Sequence, residues 1–184
     1  GGHDIKEYSL ESLMRQISMV FQNVYLFQDT IENNIKFAKP DATHEEVVEA
    51  AKKACCHEFI MKLPEQYETV IGEGGASLSG GERQRISIAR AMIKNAPIII
   101  FDEATANVDP ENEDKLQVAM EELTRNKTVI MIAHRLKTIK NANQILVLAN
   151  GKITQVGTHE ELIKTDGIYK NFIEARQIAV NWKL

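Results

Sequence analysis

The sequence predicts an α/β fold with a mostly parallel sheet and an inserted helical subdomain, and three observations predict it. Two apolar runs, Ile98 to Phe101 and Thr128 to Ala133, are bounded by turn signals and rich in β-branched residues, the pattern of strands covered on both faces. The first ends in Asp102 and Glu103 and the second in His134, so chemistry-bearing side chains emerge at carboxyl ends, where open α/β sheets place ligands. Between the runs and ahead of them lie helices with explicit start signals, the clearest being Ser79-Gly80-Gly81-Glu82, a capping box with two glycines behind the cap.

Composition sets the outer limits. The chain has 184 residues, enough for one core and an appended subdomain. Its 22 Lys and Arg against 26 Asp and Glu give a net charge of −4, and nothing global draws it to nucleic acid or anionic lipid. No 18-residue apolar run is present. The two cysteines, Cys55 and Cys56, are neighbours, where a bridge is strained, and no second pair offers zinc a site. Reduced thiols in a cytosolic setting are expected, with no chemistry assigned.

In chain order, Gly1 to Ile5 starts abruptly without methionine and reads as a cut edge. Tyr8 to Arg15 is a short helical pattern and Gln16 to Phe21 a short strand, with Gln22 at the strand-to-loop junction. Tyr25, Leu26 and Phe27 form either an exposed apolar patch for a partner or part of the core. Thr43 opens a helix with Glu46 as its box partner and Val47, Ala50, Ala51 and Ala54 on one face. A second helix, about His57 to Leu63, stops at Pro64. From Glu82 to Lys94, Ile86, Ala89, Arg90 and Ile93 make one stripe, which Asn95-Ala96-Pro97 ends. Asp109 caps a helix that Pro110 begins, with Leu116, Ala119, Met120 and Leu123 inward. Gln144 to Ala149 and Lys152 to Val156 flank Asn150-Gly151, a strong hairpin signal. Thr158 to Glu161 is a third capping box, opening a helical stretch to about Ile178.

The helix start at Ser79 also suits an anion. Glycines let backbone come close to a ligand, and the first N–H groups and positive dipole end favour phosphate. Taken alone, Ser-Gly-Gly-Glu equally describes a capped helix without a ligand. Taken together, Leu78 to Gln84 resembles the signature of the ABC ATPases, and Ile98 to Glu103 resembles their Walker B strand and catalytic glutamate. Gln22 is placed like their Q-loop glutamine, Asp109 like the acidic residue of the D-loop, and His134 like the switch histidine. Two positions depart from the commoner D-loop form, Ala106 and Asn107. Val24 to Ile35, Thr69 to Gly75 with Glu73, Ala133-His134-Arg135-Leu136 and Val156 to Leu162 are similar to exporter segments; Val70 stands where the family often has a second acid.

The resemblance implies a P-loop NTPase core of three layers, incomplete at the N-terminus, from residues 1–22 and 96–184, with 23–95 as the helical subdomain that carries the signature. It implies ATP and magnesium as cofactors of the intact domain: Asp102 and Gln22 toward the metal, Glu103 and His134 as catalytic residues, and Gln22, Ser79, Gly80, Gly81, Glu82, Gln84 and Asp109 toward nucleotide. It further implies a second ATP-binding domain in a head-to-tail dimer, a transmembrane domain as partner, no nucleic acid, and a place at the cytoplasmic face of the cell membrane.

No Gly-x-x-x-x-Gly-Lys-Ser/Thr occurs in the chain, and no upstream aromatic is present to stack on adenine. In the family both precede the point where this sequence starts. The expectation is therefore a fragment of an exporter half-transporter, inactive alone, with an unfilled slot between the His134 strand and the Gln144 to Ala149 strand. Buried unpaired backbone groups there cost about 1–3 kcal/mol each, so the chain is expected to be marginal, rearranged or paired with another chain. Two competing readings are an SMC-type chromosome or DNA-repair ATPase and a non-catalytic interaction module. The SMC type places a long coiled coil between Q-loop and signature, whereas Gln22 and Leu78 are joined here by a short segment without sustained heptads.

Overall fold

The computed structural model describes residues 2–72, 77–102, 110–132 and 139–181, and it divides into two compact units, Gly1–Ile132 and Ala133–Leu184. The first unit opens with a 3-10 turn, Ile5–Glu7, and helix α1, Leu10–Arg15, which Ser9 caps through Ser12 N. The helix predicted from Tyr8 thus starts two residues later, at Leu10, because Ser9 takes the cap position, and the 3-10 turn lies ahead of it. Strand β1, Ile17–Phe21, leads into the loop of Gln22.

A helical layer follows. Two-residue strand β2, Asp29–Thr30, precedes α2, Ile31–Lys36, then come α3, His44–Lys53, and α4, His57–Ile60. Thr43 and Glu46 complete the capping box at α3 in both directions, and Val47, Ala50, Ala51 and Ala54 are buried as the spacing predicts. Helix α4 ends three residues before Leu63. A 3-10 turn at Gln66–Glu68 carries Tyr67, whose hydroxyl lies 2.8 Å from His57 Nδ1, and burial raises its pKa. Strand β3, Val70–Ile71, pairs antiparallel with β2, Asp29 opposite Ile71 and Thr30 opposite Val70. Two-residue strands are too short to show a period, which is why the sequence gives no sign of them.

Helix α5, Gly80–Lys94, is the centre of this unit. The sequence predicts one apolar stripe, but Gly81, Gln84, Arg85, Ile86, Ser87, Ile88, Ala89 and Ala91 are all buried. The reason is packing on several sides: α5 touches β1, α2, α3 and α6. Asn95, in the left-handed conformation at φ 52°, ends it, and Pro97 follows. Strand β4, Ile98–Asp102, and β5, Thr128–Ile132, complete a parallel three-stranded sheet in the order β1-β4-β5. Helix α6, Pro110–Thr124, buries Leu116, Ala119, Met120 and Leu123 as predicted.

One face of this sheet is the core side, where Ser18, Val20, Ile99 and Phe101 are buried. Full burial of side chains such as Ile99 and Phe101 stabilises by about 1.5–3 kcal/mol each. The other face presents Met19, Phe21, Ile130 and Ile132 at 46 to 50% exposure. The expectation that Thr128 to Ala133 is a buried strand is therefore corrected: all five residues of β5 are exposed. Among the described residues β5 has one strand neighbour, β4, so neither its outer edge nor its outer face is covered.

In the second unit, β6, Ile145–Ala149, and β7, Lys152–Gly157, form the predicted hairpin, with φ 50° at Asn150 and 73° at Gly151. Among the described residues β6 pairs only with β7, in a sheet separate from β5. The third capping box opens α7, His159–Leu162, and a second helix, α8, spans Ile168–Asn181. The single stretch predicted here is broken at Gly167, φ 158°, and a small core of Leu162, Tyr169 and Ile173 holds the pieces.

Candidate functional site

The register of the sheet assembles the site. Phe21 pairs with Asp102 and Asp102 with Ile132, so these three residues lie level across the three strands. Gln22, exposed, follows Phe21 directly, and Asp102 is half-buried beside it. A strand period places Asp102 on the same face as Ile98 and Ile100, away from the buried Ile99 and Phe101.

Helix α5 is aimed at the same edge. Gln84 Nε2 donates to the carbonyl of Phe21 at 3.3 Å, near the helix start, while Lys94 Nζ donates to the carbonyl of Ile17 at 2.6 Å, at its end. The helix therefore runs antiparallel to β1 and delivers Ser79, Gly80 and Gly81 to the carboxyl edge. Ser79 Oγ accepts from Glu82 N at 3.3 Å and the Glu82 carboxylate accepts from Ser79 N at 2.8 Å. Arg83 donates to the Leu78 carbonyl. Ser79 and Gly80 are exposed, so the first N–H groups of the helix, which have no partner one turn back, open on a reachable surface. The Glu82 carboxylate lies within that first turn, where it fastens the cap and also offsets part of the positive end that an anion would meet.

Gln84 is 4% exposed, with its amide on Phe21 rather than toward solvent. Its place is to hold the strand end that carries Gln22. Glu103, Asp109 and His134, together with Glu73, Ala106 and Asn107, lie outside the described residues.

A second surface is built from the segments similar to those of exporters, Val24 to Ile35 and Thr69 to Gly72. Pairing of β2 with β3 puts Asp29 and Thr30 against Val70 and Ile71, and Ile31 N donates to the Thr69 carbonyl at 3.0 Å. Gly72, φ 104°, lies so close to the Phe27–Gln28 backbone that an added Cβ would stand 3.0 Å from Gln28 Cα. Of the three residues in question, Tyr25 is 71% exposed, while Leu26 packs on the core and Phe27 is half-buried. Asn33 Nδ2 at 2.8 Å, with Thr30 N, holds the exposed Asp29 carboxyl below its ordinary value. Beneath, Asn34 is 1% exposed and donates to the carbonyls of Phe27 and Thr30 at 3.0 Å each while accepting from Phe27 N at 2.9 Å. Sequence reasoning misses Asn34, since nothing in a helical segment marks a polar residue as buried.

A family model described as ABC transporter matches residues 1–106. The chain is 49% identical over 177 residues to the multidrug export ATP-binding/permease protein YgaD of Bacillus subtilis (strain 168), covering 96% of this chain and 30% of that protein. It is 54% identical over 168 residues to an ATP-dependent lipid A-core flippase of Syntrophus aciditrophicus (strain SB), 91% of this chain and 28% of the relative. A flippase of the same name from Legionella pneumophila (strain Paris) is 50% identical over 176 residues, 96% and 30%. The chain thus spans about 30% of the length of these curated relatives. Among the described residues no helix is long and apolar enough to cross a membrane.

Proposed function

We propose that this chain, which belongs to the ABC transporter family, is the C-terminal part of the ATP-binding and hydrolysing domain of an exporter, coupling ATP hydrolysis to movement of a substrate across a membrane. The observation that carries the reading is the convergence on one edge of the Phe21–Asp102–Ile132 register and the Ser79 end of α5.

The residues present fit magnesium and a phosphate chain. Asp102 and the Gln22 amide offer oxygens at the sheet edge, and magnesium is held by one or two such ligands with water completing its shell. When bound, the metal supplies charge neutralisation for the transferring phosphoryl group. Around it Gln22 orders the edge, Glu103 orients the attacking water and takes its proton, and His134 stabilises the phosphoryl oxygens. Ser79, Gly80 and Gly81 offer helix-terminal N–H groups to the nucleotide of a second ATP-binding domain, so two domains close head to tail; Glu82 and Gln84 hold that terminus in shape, and Asp109 stands at the D-loop between them. In the intact domain residues 1–22 and 96–184 belong to the core subdomain and 23–95 to the helical subdomain, at the cytoplasmic face of the membrane. The Tyr25 to Gly72 surface is the contact with the membrane domain.

The short helices α2, α3 and α4, of six, ten and four residues, favour a transporter over an SMC-type ATPase, whose two halves are joined by a long coiled coil. The test is Glu103→Gln in the full-length parent: ATP-driven closure is retained and turnover is lost, and undiminished turnover sinks the assignment. For the 184-residue chain, which lacks Gly-x-x-x-x-Gly-Lys-Ser/Thr, calorimetry with magnesium-ATP is expected to give no binding heat.

A further inference from the structure

Arg90 reads in the sequence as one member of the α5 stripe, and the structure ties it to a segment 56 to 65 residues away. Its Nε donates to the Asn34 carbonyl at 2.8 Å, Nη1 to the Tyr25 carbonyl at 3.1 Å, and Nη2 to Asn34 Oδ1 at 3.1 Å. The same guanidinium lies 5.6 Å from the centroid of Phe27 and 5.7 Å from that of Phe37. Those rings are 4.4 Å apart, and Tyr25 meets Phe27 edge-on at 5.2 Å. Tyr25 and Phe37 are 71% and 59% exposed, so the rings under which Arg90 is anchored form an outward aromatic patch.

A planar fork with fixed donors can bond three oxygens and stack on two rings at once, which a lysine ammonium cannot do. Arg90 lies eleven residues beyond Ser79 on one continuous helix, about 16 Å along its axis. The helix is one continuous element of fifteen residues packed against β1, α2, α3 and α6. We propose that Arg90 is a positioning residue: it fixes the Tyr25–Phe27–Phe37 patch to the far end of α5, so that displacement of the Ser79 end on nucleotide closure is delivered to the surface that docks the membrane domain. The proposal rests on the exporter reading above, and adds to it the group that carries the motion.

The experiment compares ATP turnover of the full-length parent in dodecyl maltoside micelles with turnover in vesicles of phosphatidylethanolamine and phosphatidylglycerol, for wild type, Arg90→Lys, Phe37→Leu and the double variant. Wild type responds to the bilayer. Arg90→Lys keeps its micellar kcat and its KM for ATP within about twofold and loses most of the response, about tenfold, the scale of a typical coupling between sites. Phe37→Leu, which keeps an apolar side chain at a 59% exposed position, lowers the response on its own, and adding Arg90→Lys lowers it little further, because both act on one patch. A merely structural Arg90 would instead lower kcat, response and melting temperature together, which overturns the proposal. So does an undiminished response in Arg90→Lys, or multiplicative effects in the double variant. A wild type that hydrolyses ATP with no response to the bilayer, or that hydrolyses none, overturns the exporter reading and the proposal with it.

Discussion

Gln84 and Phe21 are 63 positions apart in sequence and joined by one hydrogen bond, from the Gln84 amide to the Phe21 carbonyl at 3.3 Å. This bond fixes the start of the signature helix to the strand end that carries Gln22, and its donor is buried. Gln84→Leu removes the donor, and loss of this one hydrogen bond is expected to cost about 0.5–1.5 kcal/mol. Urea denaturation is expected to show a lower midpoint at unchanged slope. A midpoint equal to wild type would mean that the Phe21 carbonyl finds water and that the two elements are held by packing alone.

Gly72 joins the two segments of the proposed membrane-domain surface. At φ 104°, with Gln28 Cα and Phe27 O at 3.0 and 3.1 Å from where a Cβ would stand, the position combines strain with close backbone approach. Gly72→Ala is expected to destabilise the chain by about 1–3 kcal/mol and to raise hydrogen exchange at Asp29, Thr30, Val70 and Ile71. Exchange unchanged at those amides would show that the β2–β3 ladder does not depend on the glycine.

The neighbouring cysteines differ in chemistry. Cys56 is fully buried, its Sγ donates to the Ala51 carbonyl at 3.3 Å, and burial pushes its thiol up to about 12. Cys55 is partly exposed at φ 54°. A disulfide reagent at neutral pH is expected to titrate Cys55 quickly and Cys56 only after unfolding. Two equally fast thiols would refute the packing of α3 against α5 around Cys56.

Glu32 is 12% exposed, between Lys36 at 2.7 Å and His44 at 2.6 Å. Burial alone would raise its carboxyl, but the hydrogen bonds from Lys36 and His44 outweigh it and hold the pKa below the ordinary value. A lowered folded value means that the stabilisation is complete above the ordinary carboxylate range and is lost as pH falls through the folded value. Glu32→Gln is therefore expected to lower stability at neutral pH and to converge on wild type in acid. A constant difference from neutral to acid pH would show that the charge of Glu32 contributes nothing.

Much of the fold is legible in the sequence because its signals are local. Capping boxes at Thr43, Ser79 and Thr158, the helix stop at Asn95 and the hairpin at Asn150-Gly151 each lie within a few residues and form as read, and the apolar runs of β4 and β5 form strands, though not with the burial read for them. Asp102 and Gln22 stand at strand ends, as their local pattern predicts. What the sequence determined by itself is thus the longer elements, the polar residues at their ends and, through the motifs, the family, but not the two-residue strands β2 and β3. Only the tertiary structure decided that α5 is buried almost all round, that β5 is exposed, that Gln84 turns inward, and that Asn34 and Arg90 lock a patch to a helix. The physical reason is that burial and long-range hydrogen bonding depend on which elements come to lie on each side of a residue. That neighbourhood is fixed by packing between segments 50 or more positions apart, which no local pattern of side chains records.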